Sequence, residues 1–109
     1  MNSLDSSQKK YLRGLAHKLK PVAFVGQKGV TDTLVRAIDE ALAFHELIKV
    51  KFVEFREKEK KKELTESIGK RTGSEMVGMI GHTAILYRPG ADPEQRKIKV
   101  PEVKGDILK

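Results

Sequence analysis

The chain has no cysteine and no tryptophan, four prolines, and six aromatic residues among 109. Without cysteine, disulfide scaffolds, Cys-containing zinc sites, thiol nucleophiles and thiol redox switching are excluded. No apolar run exceeds a few residues, which excludes a membrane-spanning helix. The polar stretch from Met1 to Lys10 lacks the hydrophobic region of a secretory signal, so a cytoplasmic protein is the expectation. The length suits one domain and is too short for two ordinary ones. Catalytic and cofactor motifs are also missing. There is no GxxxxGK[ST] phosphate loop and no GxGxxG, so no cofactor is indicated. The spacings of His17, His45 and His82 match no local zinc motif, and no metal is expected. No serine sits in a nucleophile elbow, and Asp39 and Glu40 lie side by side, facing partly apart. Nothing here makes a case for an enzyme.

What the chain does have is positive charge. The formal net charge is +7, from 22 basic and 15 acidic residues. Its distribution is uneven. Residues 1–30 carry Lys9, Lys10, Arg13, Lys18, Lys20 and Lys28 against Asp5 alone. Residues 31–66 are nearly balanced, and a smaller basic excess returns after residue 66. Such a field suits nucleic acid, anionic lipid or an acidic protein partner. Screening confines it to roughly 8 Å at physiological salt, so the two basic ends act together only if folding brings them close.

Periodicity supplies the elements. Leu12, Leu15, Ala16 and Leu19 recur at helical spacing behind a cap at Ser6 or Ser7, and Pro21 ends that helix. Val22 to Val25 is a short apolar run without alternation, which reads as a strand interior to a sheet. Thr31 or Asp32 caps a second helix with Leu34, Ile38, Ala41 and Leu42 on one face. Ile48, Val50 and Phe52 alternate with Lys49 and Lys51, giving a half-exposed strand. The segment from Arg56 to Thr72 is a charged helix closed by Gly73, with Lys58 to Glu63 forming a solvated face. Met76–Ile80 and Thr83–Tyr87 read as strands joined at Gly81-His82 by a type II′ turn. From Pro89 onward no apolar period remains. The predicted organisation is an ordered domain over residues 1–89 and a mobile basic tail over 90–109. The order α-β-α-β-α-β-β predicts a two-layer α/β sandwich, with helices on one face of a four-stranded mixed sheet.

The sharpest local feature is Gly26-Gln27-Lys28-Gly29, between a strand and a helix. Two glycines three apart permit a tight turn and close approach to another chain, and both are expected to take unusual backbone angles. Gln27 and Lys28 should project, and the helix behind the loop offers free N–H groups to a phosphate. KH domains clamp a nucleic-acid backbone with a GxxG loop of this kind. As a bare pattern it also describes an ordinary strand-to-helix turn. His17, near the end of the first helix, could contact phosphate or answer the helix dipole. Phe24, Phe44 and Phe52 are expected in the core, leaving Tyr11, Phe55 and Tyr87 as candidates for exposure. That pattern argues against a base-stacking sheet and for recognition of backbone and shape.

Several runs together resemble the CRM-domain family, in particular its small single-domain YhbY-like members. They are Gln8 to His17, Leu19-Lys20-Pro21-Val22, the Gly26–Gly29 loop, His45 to Lys51, and Gly81 to Pro89. The resemblance covers about residues 7–89. It implies a fold similar to the C-terminal domain of bacterial translation initiation factor three, and distantly to KH domains. It further implies RNA binding and association with precursors of the large ribosomal subunit; multi-domain relatives act in organellar intron splicing. Carried onto this chain, the RNA surface would comprise Gly26, Gln27, Lys28 and Gly29 with the basic first helix, namely Lys9, Lys10, Arg13, His17, Lys18 and Lys20. The expected partner is then large-subunit ribosomal RNA or its precursor. Three alternatives stay open: an adaptor whose basic face docks an acidic protein, a CRM-type RNA-binding factor in RNA processing, and a ribonuclease or RNA-modifying enzyme using His17 or His82.

Overall fold

The computed structural model describes residues 4–101. Helix α1 spans Ser6–Ala16, β1 Ala23–Val25, α2 Asp32–His45, β2 Leu47–Phe52, α3 Lys58–Thr72, β3 Glu75–Ile80 and β4 Thr83–Tyr87, with a 3₁₀ turn at Pro93–Gln95. The element order is the expected one. The cap of α1 is Asp5, one residue before the predicted serines. Its carboxylate accepts from the Gln8 amide at 2.7 Å, and the Gln8 side chain accepts from the Asp5 amide at 3.0 Å. This reciprocal pair satisfies two helix-end donors at once. Thr31 caps α2 by accepting from the Leu34 amide at 3.0 Å. Gly73 closes α3 in the left-handed region at φ 70°.

The strands form one mixed sheet in the order β1-β2-β4-β3, with β1 and β2 parallel and the other pairs antiparallel. Strand β1 therefore lies at an edge, not in the interior as its unbroken apolar run suggests. A three-residue strand can be apolar throughout and still expose one face. Ala23 and Val25 are buried while Phe24 is 54% exposed.

The sheet also carries helices on both faces, which corrects the expected two-layer arrangement. One core joins Ile38, Leu42 and Ile68 of α2 and α3 to Val25, Val50, Phe52, Ala84 and Leu86. A second joins Leu12 and Ala16 of α1 to Leu47, Val77, Ile85 and Tyr87. Neighbouring residues of a strand face opposite ways, so the alternation of Ile85 with Leu86 separates the two cores. The result has three layers. A β-bulge between Met76 and Gly78 interrupts the alternation along β3, so that Val77 and Gly78 both face α1 and Ile80 follows on the same side.

Three further expectations change. Of the phenylalanines assigned to the core only Phe52 is buried, because Phe44 is 65% exposed and Phe24 points outward. Tyr87 is buried, and burial together with the nearby Glu46 carboxylate raises its hydroxyl pKa above the usual value, with Arg96 acting in the other direction. Residues 90–101 pack onto the domain. The amides of Lys97 and Ile98 donate to the Glu46 carboxylate at 2.9 and 3.0 Å, and Ile98 and Val100 lie against the α1 core. The pattern over this stretch is too irregular to reveal these contacts, since backbone donors and two spaced aliphatics leave no period. The remainder of the predicted tail, 102–109, lies outside the described residues. Glu46 itself is buried at φ 69°, a strained setting for a residue with a side chain. Its hydrogen bonds to Lys97, Ile98 and, through its carbonyl, Arg88 hold it there.

Candidate nucleic-acid interface

The Gly26–Gly29 loop leaves the end of β1 and turns at once into α2. The Gly29 amide donates to the Gly26 carbonyl at 3.0 Å, which closes a β-turn with Gln27 and Lys28 at its apex. Both apex side chains are exposed. Only Gly29 takes the left-handed conformation, at φ 72°. Gly26 has neither a positive φ nor a neighbour that a Cβ would meet, so the expectation of two unusual glycines is halved. Gly29 also stands over the Phe55 ring, which a Cβ there would touch at 3.6 Å. Phe55 thus props the loop from behind, itself held at φ 56°. The amides of Val53 and Glu54 both donate to the Val25 carbonyl, at 3.0 and 3.1 Å, and tie this prop to the end of β1.

In front of the loop is an open cleft of about 390 Å³, lined by Phe24, Gly26–Gly29, Thr31 and Leu34. The first turn of α2 carries Asp32, which would repel an anion at the helix N-terminus. Its carboxylate pairs with Arg71 of α3, and Arg71 also reaches the Val30 carbonyl at 3.5 Å. The local field is therefore left to Lys28, which has no ion pair with any described residue. Arg71 and Phe55 both support the loop, and neither carries a local sequence signal, because each reaches it from a distant part of the chain.

The basic residues of the first helix divide into two groups. Arg13 donates to the Val77 carbonyl at 2.9 Å, and its stem fills the place a Cβ on Gly78 would occupy. Lys9 pairs with Glu75 at 3.6 Å. These two are partly spent in holding α1 to β3. Lys10, His17, Lys18 and Lys20 are exposed, and the three lysines form no ion pair within the described residues. The positions also differ. Glu75, beside Lys9, begins β3, whereas the loop lies at the sheet end where β3 finishes with Ile80, about 17 Å away along the strand. His17 reaches farther toward that end, lining a hollow of about 270 Å³ with Arg13, Pro21, Lys49, Ile80 and Thr83. The structure thus groups His17 with the sheet surface near the loop and leaves Lys9 and Lys10 toward the other end.

His82 occupies the β3–β4 turn, where Gly81 has φ 60° as a type II′ turn requires. Lys61, expected on a solvated face, is instead buried, donating to the Gly81 carbonyl at 2.6 Å and lying 3.0 Å from His82 Nδ1. The ammonium can only donate, so Nδ1 accepts and the imidazole proton resides on Nε2. Partial burial lowers the His82 pKa below its usual value, and Arg56, Lys61 and Lys51 lower it further. Among the described residues no group of three His, Cys, Asp or Glu side chains could hold a metal ion, and no helix is long and apolar enough to cross a membrane.

The domain is a three-layer α/β fold carrying a GxxG turn of the kind with which KH domains clamp a nucleic-acid backbone. Comparison with known families matches residues 4–88 to the CRS1 / YhbY (CRM) domain, and the chain belongs to that family. An "RNA-binding protein" of Haemophilus influenzae is 42% identical over 93% of this chain and 98% of its own. The "Probable RNA-binding protein YqeI" of Bacillus subtilis is 39% identical over 90% of this chain and 99% of its own. Among solved structures, the solution structure of SAV1595 from Staphylococcus aureus, described as "a putative RNA binding protein", superposes with a TM-score of 0.78. It is 35% identical, covering 91% of this chain and all of that one.

Proposed function

We propose that this protein binds RNA without catalysing its turnover, and that its partner is large-subunit ribosomal RNA or its precursor during ribosome assembly. The observation that carries the RNA reading is the Gly26–Gly29 turn, with Lys28 projecting at the mouth of an open cleft. A phosphate placed there meets a lysine and the positive end of α2, whose one acidic first-turn residue is already paired with Arg71. The relatives named as RNA-binding proteins match over nine-tenths of the chain, which supports carrying the same chemistry here. The ribosomal partner rests on the resemblance to single-domain family members.

The test is a double substitution, Gln27→Asp/Lys28→Asp, which reverses the loop charge and leaves both glycines in place. Asp tolerates turn conformations, so the melting transition should scarcely move. RNA affinity at fixed salt should fall tenfold or more, since about 1.4 kcal/mol corresponds to each factor of ten. The log–log salt slope should flatten by roughly 0.7 for each single-strand phosphate that the loop no longer neutralises. Full affinity in the folded variant would reduce the loop to a turn. Crosslinking in cells followed by sequencing of the attached RNA should recover large-subunit precursors; a different RNA class would remove the ribosomal part. RNA cleavage that is abolished by His17→Ala or His82→Ala would favour an enzyme instead.

A further inference from the structure

At the loop end of the sheet, four residues on the α1 side form a single row across all four strands. Phe24 is paired in register with Lys51, Lys51 with Thr83, and Thr83 with Ile80. The row spans about 14 Å at the usual strand spacing. The next row inward is roofed by α1, where Ile85 is fully buried and Gly78 lies under Arg13. The loop-end row has no roof. Phe24 is 54% exposed and Ile80 60%, and Lys51 is exposed between them. Phe24 also forms a wall of the cleft in front of the Gly26–Gly29 turn.

An aromatic ring and an aliphatic side chain with a lysine between them do not suit a duplex, whose bases are stacked on each other. They suit unpaired bases, which offer apolar faces beside an anionic backbone. Resting on the RNA reading above, we infer that the Phe24–Lys51–Thr83–Ile80 row is a platform for unpaired nucleotides, with Phe24 stacking on the base whose flanking phosphate lies at the Gly26–Gly29 turn. The loop holds the backbone, and the row selects single-stranded over paired RNA.

The probe is a short oligouridine carrying one fluorescent base analogue that is quenched on stacking, compared with a duplex of the same length. Phe24→Ala should weaken single-strand binding about five- to a hundredfold, the range for losing one stacked base, and abolish the quenching. Duplex binding should be unchanged. Because no charge is removed, the salt slope should stay that of the parent, whereas Gln27→Asp/Lys28→Asp flattens it. Phe24→Tyr should retain affinity and quenching, while Phe24→Leu, which keeps apolar bulk without a π face, should lose both. If Phe24→Ala or Phe24→Leu binds and quenches like the parent while the loop variant is weakened, the platform is wrong and the RNA reading stands. If the parent itself binds neither RNA, both fall. A parent that prefers the duplex also overturns the platform.

Discussion

Beneath α2 and α3 the sheet is sealed, with Val25, Val50, Phe52, Ala84 and Leu86 nearly or fully buried, whereas the opposite face is roofed by α1 and, at the end away from the loop, by Ile98 and Val100. That helix has eleven residues, about 16 Å of length, and its stripe reaches only Leu12 and Ala16 before the chain turns away toward Pro21. The closed face supplies stability. The half-open face leaves side chains of the same sheet available at the loop end, beside the Gly26–Gly29 turn. The difference arises both from where one helix stops and from the strands themselves. The sealed face is apolar throughout, while the α1 face carries Lys49, Lys51, Glu75 and Thr83.

Stability measurements should separate the two halves most sharply. Ile85→Ala and Leu42→Ala remove fully or almost fully buried side chains, and each should cost about 2–5 kcal/mol in denaturant unfolding. Ile80→Ala, one row beyond Ile85 toward the loop end, should stay within about 0.5 kcal/mol. A comparable loss at Ile80 would mean that the loop-end row is closed in solution.

Removal of residues 91–109 probes the other end of the α1 face. Truncation after Gly90 takes away the two amides that hold Glu46 and the Ile98 and Val100 contacts with the α1 core. Hydrogen bonds to a charged group contribute about 1.5–3 kcal/mol. The melting temperature should fall by several degrees, at roughly 4–8 °C per kcal/mol for a domain of this size. An unchanged melt would show that these contacts contribute nothing and that α1 closes its core unaided.

The smallest effect should come from His82 in the turn beside the open row. Its folded pKa lies below the unfolded value of about 6.5 because of partial burial and the charges of Arg56, Lys61 and Lys51. As pH falls below that value the unfolded chain takes up the proton first, so this contribution to stability is present above about pH 6.5 and is lost on acidification toward the folded pKa. His82→Gln should therefore lose less melting temperature than the parent between about pH 7.5 and 5. Parallel profiles would show that the imidazole titrates alike in both states.

Much of this architecture is legible without coordinates. Helical spacing in α1 and α2, alternation in β2 and the Gly81-His82 turn each express a local preference, and local preferences survive folding. The two exposed residues at the apex of the Gly26–Gly29 turn are of the same kind, because a tight turn throws its central side chains outward wherever it is placed. Contacts between distant segments leave no such trace. Arg71 neutralises Asp32 from 39 residues away, Phe55 props Gly29 from the β2–α3 connection, and Lys61 is buried against the β3–β4 turn despite lying in a run of like-charged neighbours.

By itself the sequence determined the order of elements, the turn between β1 and α2, the basic surplus of the first thirty residues and the family. Tertiary structure alone decided which face of the sheet each helix covers, since period-two alternation says that a strand has two faces but not what lies on either. It placed β1 at an edge and turned Phe24 outward, because a run of four apolar residues looks the same whether one or both faces are packed. It also divided the basic residues, engaging Lys9 and Arg13 with β3 and leaving Lys18, Lys20 and Lys28 exposed. A charged side chain is committed only by the partner that folding brings to it, and for Lys9 and Arg13 those partners, Glu75 and Val77, lie dozens of residues away.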